Sequence, residues 1–298
     1  MRFNPDMTSD ISLFIRSAGL IAQSSGLIIA AGAGMGVDSG LADFRGPEGF
    51  WRAYPPLRRA GLRFEEMANP RAFERDPGLA WGFYGHRLQR YREAIPHRGF
   101  AILREIAARL PDGAFVFTSN VDGHFQKAGF ADETICEVHG SIHYLQCATP
   151  CSDHIWPADE FEPVVDPSTC RLAPPWPRCP NCGELARPNI LMFGDWNWLE
   201  RRTGRQETRF AAWRGAASNP IVIEPGAGKS VATVRMMSER SGFPLIRINP
   251  RDPEVPASNH IGVNMGALAA LEGIRTALAE MGFLPDESAR QLPPGRTI

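Results

Sequence analysis

A short apolar run that ends in glycines is the feature that most restricts the fold of this sequence. Residues 27–31 read Leu-Ile-Ile-Ala-Ala, and Gly32, Ala33 and Gly34 follow directly. A run of this length and bulk is typical of a buried strand in a parallel sheet. Glycines after such a strand predict a turn where the backbone can approach an anion, with a helix beginning near Asp38 and offering free N–H groups. The stretch therefore predicts a nucleotide-binding α/β domain.

The residues after the glycines add chemistry to this prediction. The spacing is G-x-G-x-G, which lacks the third glycine of the dinucleotide fingerprint at its usual place, and glycine can serve steric needs alone. Asp43, Phe44 and Arg45 then place a carboxylate, an aromatic ring and a guanidinium on the next loop. These three side chains are candidate contacts for a bound nucleotide.

Apolar periodicity predicts alternating strands and helices along most of the chain. Residues 46–51 are rich in glycine and proline and are predicted to form a loop. Ser9 or Asp10 is expected to cap the first helix. The predicted strands cover residues 27–31, 114–117, 135–138, 221–223 and 245–248. The predicted helices cover residues 11–24, 64–92 with breaks before Pro70 and Pro77, 99–110 and 265–281.

Composition and the first ten residues bear on the partners of the protein and on its location in the cell. The formal net charge of -1 gives no reason to expect nucleic acid or an anionic membrane as a partner. Residues 1–10 lack the basic-then-apolar pattern of a signal peptide, and the apolar runs fall short of a membrane span of roughly 20 residues. We therefore expect a cytoplasmic protein.

Four of the six cysteines form two close pairs, Cys147-x3-Cys151 and Cys179-x2-Cys182. They lie in a segment rich in proline and poor in apolar periodicity, so a tetrahedral structural zinc would replace the missing hydrophobic core. Four cysteines leave no open coordination position, so the zinc is not expected to be catalytic. Alternatives are Cys170 as a substitute ligand, or a segment without metal. Cys136 is predicted to be a core thiol.

The organisation follows from these patterns. Residues 1–140 and 189–284 are predicted to form one α/β nucleotide-binding domain, interrupted by a helical insert at 46–98. Residues 141–188 are predicted to form a small zinc-binding domain, and 285–298 a flexible tail.

Polar side chains follow two of the predicted strands. Ser119, Asn120 and Asp122 come after the strand at 114–117, and His139 follows the strand at 135–138. Ligands of open α/β sheets bind at the carboxyl ends of the strands. An imidazole that is neutral near pH 7 suits proton abstraction, so His139 is the candidate general base.

The motifs, taken in order, resemble those of the sirtuins, the NAD-dependent protein deacylases. Residues 32–46 (GAGMGVDSGLADFRG) resemble GAGIS-x-x-SGIPDFR, and 118–129 (TSNVDGHFQKAG) resemble TQN-[IV]-DGLH-x-x-AG. Residues 137–140 (EVHG) resemble ELHG, and 187–195 (RPNILMFGD) resemble RP-x-V-V-x-FGE. The resemblance implies a Rossmann-like large domain with a small zinc-binding domain, and NAD bound in the cleft between them.

The same resemblance implies site roles. His139 would be the general base, Asn120 would position the nicotinamide ribose and the reactive water, and Asp122 would hold the nicotinamide carboxamide. Residues 226–228 would form the loop over the adenosine half, since a P-loop would need glycine where Ile223 stands. The implied cofactor contacts are Gly32, Ala33, Gly34, Asp43, Phe44, Arg45, Ser119, Asn120, Asp122, Gly226, Ala227, Gly228 and Asn249.

Two further segments concern the acylated substrate. By resemblance, Met192, Phe193 and Gly194 would pair with the backbone of an acyl-lysine peptide. Tyr84 and Arg87 are three residues apart on one helix face, and a phenol beside a guanidinium is a good receptor for a carboxylate. They match the Tyr-x-x-Arg of class III sirtuins, which bind succinyl- or malonyl-lysine. The alternative is a solvated arginine face.

The implied reaction consumes NAD as a co-substrate. The acyl-lysine carbonyl oxygen attacks the anomeric carbon as nicotinamide leaves, His139 deprotonates a ribose hydroxyl, and the acyl group ends on ADP-ribose. Departures from the family pattern at Gly36, Ser119 and residues 227–228 leave open an NAD glycohydrolase or a mono-ADP-ribosyltransferase. A binding module without catalysis is a third hypothesis, and the presence of Asn120, Asp122 and His139 counts against it.

Overall fold

The computed structural model describes residues 5–43 and 46–286. Two short 3-10 helices cover Ala33–Ser39 and Asp132–Thr134. The strands are β1 Gly26–Ala31, β2 Ala114–Thr118, β3 Ile135–Glu137, β4 Gly140–Cys147, β5 Ile155–Pro157, β6 Val165–Asp166, β7 Arg171–Leu172, β8 Ala186–Ile190, β9 Pro220–Pro225, β10 Leu245–Ile248 and β11 Ile261–Val263. The α-helices are α1 Pro5–Ala22, α2 Gly46–Ala53, α3 Pro55–Arg59, α4 Phe64–Met67, α5 Arg71–Arg75, α6 Pro77–Glu93, α7 Arg98–Ala107, α8 His124–Lys127, α9 Arg201–Ala216, α10 Thr233–Arg240 and α11 Ala267–Glu280.

A six-stranded parallel sheet with the order β11-β10-β9-β1-β2-β3 forms the centre of the molecule. Leu27 of β1 lies opposite Ala114 of β2 and Ile221 of β9. The chain winds outward from β1 in one direction and from β9 in the other, as in a Rossmann fold. Ligands of such sheets bind where the winding reverses, outside the carboxyl ends of β1 and β9.

Both faces of this sheet are covered, which explains why the strands are apolar throughout. Leu27 and Ile29 pack in a buried cluster with side chains of α1, α7 and α11. Ile28 and Ala30, one residue out of phase, pack in a second cluster with Phe210 of α9 and Val234 of α10. The predicted α/β Rossmann-like architecture is confirmed.

The helices at 46–93 and the cysteine-bearing strands share a third buried cluster. It joins aromatic side chains of the helices, such as Phe73 and Trp81, to Ile142 and Leu145 of β4 and Leu172 of β7. The three-stranded antiparallel sheet β5-β4-β8 therefore buries its apolar residues mainly against these helices.

Glycines let α6 approach the cysteine-bearing segment closely. A Cβ on Gly82 would overlap the carbonyl oxygen of Cys170, and a Cβ on Gly78 would lie 3.3 Å from the carbonyl oxygen of Leu172. One face of α6 is therefore used for backbone-to-backbone packing, and this contact fixes the direction of the opposite face.

Three local predictions were wrong. Residues 46–51 belong to α2, because Pro47 is tolerated in a first turn and Phe50 is fully buried against Tyr54 and Phe83. α1 begins at Pro5, so Ser9 and Asp10 lie inside it. The 3-10 helix after β1 begins at Ala33 and ends at Ser39, where Gly40 with a φ of 78° caps it, rather than beginning near Asp38.

The other predicted strands and helices are confirmed within a few residues. The breaks before Pro70 and Pro77 separate α4, α5 and α6, and the Asp76 carboxylate caps α6 by accepting from the N–H of Leu79 at 3.1 Å. Apart from residues 285 and 286, the predicted tail lies outside the described residues. Among the described helices, none combines the length and apolarity that crossing a membrane requires.

Candidate active site

A cavity of about 740 Å³ lies at the carboxyl ends of β1, β2, β3 and β9. Its volume is within the range of small-molecule sites. Most of the predicted site residues line it, namely Gly32, Ala33, Asp43, Tyr84, Arg87, Ser119, Asn120, Asp122, His139, Met192, Phe193, Gly226, Ala227 and Gly228. Gly194 lines a smaller neighbouring cavity, whereas Gly34 and Asn249 line neither. Phe44 and Arg45 lie outside the described residues.

Two glycine turns contact each other at the floor of this cavity. The N–H of Gly34 donates to the carbonyl of Gly226 at 3.0 Å, and the N–H of Gly32 donates to Pro225 at 3.0 Å. A Cβ on Gly32 would lie 2.6 Å from the Cα of Ala227, and Gly226 has a φ of 68°. Glycine is therefore required here because the two turns touch, in addition to any approach to a phosphate.

Asn120 joins the end of β2 to the first glycine turn. Its Nδ2 donates to the carbonyl of Gly32 at 3.0 Å, and its N–H donates to the Thr118 hydroxyl, which in turn donates to the carbonyl of Ala31 at 3.0 Å. Asp122 is two residues further along the chain and is 8% exposed, with Oδ1 accepting from the N–H of His124 at 2.9 Å. Backbone contacts thus fix both side chains at the cavity wall.

His139 lies two residues after the end of β3 and is half-buried in the same wall. Its Nε2 is 3.3 Å from the Thr233 hydroxyl at the start of α10. Burial lowers the pKa of His139 below its ordinary value, and a hydrogen bond to the backbone of Ser119 opposes this shift. The imidazole is therefore neutral at pH 7 and able to accept a proton.

Asn249 supports the second glycine turn from behind. Its Nδ2 donates to the carbonyl of Ala227 at 2.8 Å, and its Oδ1 accepts from the N–H groups of Arg251 and Asp252. The side chain is fully buried. The structure therefore places Asn249 behind the loop rather than at the surface of the cavity, while Lys229 of that loop pairs with Asp252 at 2.8 Å.

The segment predicted to contact the substrate is fixed by a buried ion pair. Nη1 and Nη2 of Arg187 bind the two carboxylate oxygens of Asp195 at 2.8 and 2.9 Å, and both side chains are fully buried. Asp195 also accepts from the N–H of Met192 at 3.3 Å, and Phe193 donates to the carbonyl of Ala68 at 2.8 Å. Met192 and Phe193 are therefore held at the cavity from two sides.

The acidic-acyl candidates lie on the face of α6 opposite its glycines. Tyr84 and Arg87 are both buried and both line the cavity. Burial raises the pKa of Tyr84 to about 12, so it remains a phenol, and among the described residues its hydroxyl has no hydrogen-bond partner. Nε and Nη2 of Arg87 donate to the hydroxyl of Tyr91 at 3.1 and 2.8 Å.

The four paired cysteines converge as predicted. All four Sγ atoms lie within 4.8 Å of one another, and the Cys147–Cys182 and Cys151–Cys179 sulfurs are 3.7 Å apart. Zinc bound tetrahedrally at about 2.3 Å requires sulfurs about 3.8 Å apart, so this set fits one structural zinc. Cys170 is buried outside the group, and Cys136 is buried in β3.

Two residues of the site were missed from the sequence. Tyr91 is four residues after Arg87 and so lies on the same helix face, a spacing that could have suggested it. Thr233 is 94 residues from His139, and no local signal in the sequence points to it.

The fold and the site together define a Rossmann-type nucleotide-binding protein with a four-cysteine module. A family model described as the Sir2 family matches residues 32–206. A protein of Pyrococcus furiosus named NAD-dependent protein deacylase is 37% identical over 77% of this chain and 84% of its own length. A Pyrobaculum aerophilum protein named NAD-dependent protein deacylase 2 is 35% identical over 78% of this chain and 82% of its own.

Solved structures agree with these relatives. The crystal structure of a Sir2 homolog–NAD complex superimposes with a TM-score of 0.67 at 26% identity, covering 89% of this chain and 93% of that one. The chain belongs to the Sir2 family, the sirtuins.

Proposed function

We propose that the protein is an NAD-dependent protein-lysine deacylase that transfers the acyl group to ADP-ribose and releases nicotinamide. The observation that carries the proposal is the position of Asn120, Asp122 and His139, which line one cavity at the ends of adjacent parallel strands. The names of the relatives from Pyrococcus furiosus and Pyrobaculum aerophilum support it. NAD and an acyl-lysine protein or peptide are the proposed partners.

The proposed NAD site lies where the sheet winding reverses. The two touching glycine turns and Asp43 line its floor, and Asn120 and Asp122 line the end that would hold the nicotinamide ribose and carboxamide. Bound NAD would supply an anomeric carbon that accepts the acyl oxygen as nicotinamide leaves. We propose that Asn249 acts by holding the second turn, because its amide atoms already bind that loop.

His139 is the proposed general base. Burial lowers its pKa, so the ring is neutral at pH 7 and takes the proton of a ribose hydroxyl. The Thr233 hydroxyl at 3.3 Å and the backbone of Ser119 orient the ring.

The acyl-lysine peptide is proposed to add as a strand beside Met192, Phe193 and Gly194. Main-chain pairing of this kind needs a fixed backbone, and the Arg187–Asp195 ion pair together with the bond from Phe193 to Ala68 supplies one.

An acidic acyl group is the proposed preferred substrate, in the manner of class III sirtuins. Tyr84 and Arg87 line the cavity, are buried, and offer a phenol donor and a cation. A succinyl or malonyl carboxylate is an acceptor only, so these donors match it. A plain acetyl group has no carboxylate to accept from them.

Zinc is proposed to bind Cys147, Cys151, Cys179 and Cys182 and to have a structural role only, because the four thiolates fill its coordination shell. We further propose 141–188 as the small domain and 46–98 as the insert, within an NAD-binding domain of 1–140 and 189–284. The core that the insert shares with β4 and β7 supports treating these two segments as one side of the cleft.

The decisive experiment is nicotinamide release from NAD with matched acetyl-lysine and succinyl-lysine peptides and without peptide, for the wild type and His139→Ala. We expect nicotinamide release to require peptide and to be lost in the His139→Ala variant. Equal release without peptide would overturn the proposal in favour of the NAD glycohydrolase or ADP-ribosyltransferase, which the names of the relatives do not favour.

A further inference from the structure

We propose that Tyr91 is a positioning residue for acyl specificity, which orients Arg87 toward the carboxylate of an acidic acyl group. This inference rests on the proposed preference for acidic acyl-lysine. It adds a third residue of α6 to the pair that the sequence motif predicts.

The first step is the position of Tyr91 on the helix. Tyr84, Arg87 and Tyr91 are spaced three and four residues apart, so all three lie on one face of α6. All three line the cavity, and Tyr91 is 7% exposed. The glycines of the opposite face dock on the backbone near Cys170, so this face cannot rotate away from the cavity.

The second step concerns what fixes the guanidinium. Its Cζ lies 5.3 Å from the ring centroid of Phe83, 5.6 Å from that of Tyr84 and 5.4 Å from that of Tyr91. Ring contacts of this kind attract the cation without setting its rotation. The two hydrogen bonds from Nε and Nη2 to the single oxygen of Tyr91 do set it, and they leave Nη1 on the side of the guanidinium that faces away from Tyr91.

The third step is the hydrogen-bonding character of the pocket. The hydroxyl oxygen of Tyr91 accepts from both Nε and Nη2 of Arg87, so its own proton points away from the guanidinium. That proton is the group that Tyr91 has left to donate. The Tyr84 hydroxyl has no partner among the described residues. Two phenol protons and a guanidinium form a set of donors that a carboxylate satisfies and a methyl group does not.

The test compares kcat and KM for succinyl-lysine and acetyl-lysine forms of one peptide at saturating NAD. Tyr91→Phe keeps the ring and removes only the hydroxyl. We expect its KM for the succinyl peptide to rise about tenfold, as for the loss of a hydrogen bond to a charged group. Its kcat for that peptide and both constants for the acetyl peptide should stay within about twofold.

Tyr144→Phe is the matched control. Tyr144 is a half-buried tyrosine of β4 whose ring centroid lies 4.2 Å from Cζ of Arg202, and it does not line the cavity. Neither peptide's constants should change in this variant. Arg87→Lys provides a second test if Tyr91→Phe folds poorly, because lysine keeps the charge and cannot form the forked contact. Its KM for the succinyl peptide should also rise about tenfold.

The outcomes separate the two proposals. An unchanged succinyl KM in Tyr91→Phe or Arg87→Lys, or an equal change for both peptides, would overturn the role of Tyr91 while Arg87→Met still removes the preference. If the wild type has no succinyl preference and Arg87→Met changes nothing, the acidic-acyl function itself fails.

Discussion

Two buried arginines near Tyr84 are held in different ways. Arg187 binds both oxygens of the Asp195 carboxylate, and the pair is fully buried. Arg87 donates twice to the phenol of Tyr91. A carboxylate cancels the charge of its partner, whereas a neutral phenol only orients it. The first arrangement suits a structural support and the second suits recognition of an anion.

The largest effect should come from breaking the structural pair. Asp195→Ala leaves the Arg187 charge buried without its carboxylate, so we expect the free energy of unfolding to fall by about 3–5 kcal/mol. Chemical denaturation measures this loss. The double variant Arg187→Met with Asp195→Leu should recover most of it, because no buried charge remains. Equal loss in the single and double variants would contradict the assignment of Arg187 as a support.

Loss of Arg87 should change activity rather than stability. Arg87→Met removes the cation that pairs with an acidic acyl group, and we expect kcat/KM for a succinyl-lysine peptide to fall by roughly 100-fold, the equivalent of about 2.7 kcal/mol. Activity on the acetyl-lysine peptide should remain. An equal fall for both peptides would mean that Arg87 supports the fold, as Arg187 does.

The site residues and the residues that hold them in place were not equally predictable from the sequence. The strands of the sheet were predicted because each is a continuous apolar run, and Asn120, Asp122 and His139 were found because each follows such a run. The loop around Asp195 was found through its motif. The partners of these residues were harder to find, because Tyr91 and Thr233 contribute through contacts that only the folded chain brings together.

The errors have physical causes as well. Residues 46–51 have poor intrinsic helix propensity, yet burial of Phe50 against Phe83 favours the helix α2. The role of Asn249 as a cofactor contact stays a prediction, and in the structure its amide donates to the carbonyl of Ala227. Periodicity cannot show which way such a side chain turns.

A smaller effect is expected from the glycine face of α6, where Gly78 and Gly82 pack on backbone atoms of Leu172 and Cys170. This contact keeps the opposite face, the recognition face with Tyr84, Arg87 and Tyr91, at the cavity. Gly82→Ala puts a methyl group onto the Cys170 carbonyl, and overpacking of this kind costs about 1–3 kcal/mol. Gly204→Ala in α9 is the control, because nothing lies within 4 Å of its Cβ. It should be neutral or stabilise by up to about 1 kcal/mol. Thermal unfolding of both variants checks this.

If α6 also sets the direction of Arg87, Gly82→Ala should reduce the succinyl preference in addition to stability. A variant that is less stable but keeps the full preference would show that the recognition face does not depend on this contact. That outcome would mean that packing at Gly82 and the direction of Arg87 are independent, although both residues belong to α6.

The smallest effect concerns pH, and it tests whether the succinyl preference depends on fixed charges. Burial lowers the pKa of His139, so the base is neutral at pH 7 and becomes protonated only below its ordinary value of about 6.5. We therefore expect kcat/KM to be flat between about pH 7 and 8 and to fall on the acidic side.

The ratio of succinyl to acetyl activity should stay constant between about pH 6 and 8, because a guanidinium and an acyl carboxylate keep their charges over that range. A ratio that changes with the same pKa as the rate would mean that a titrating group such as His139, rather than the fixed charge of Arg87, determines the preference.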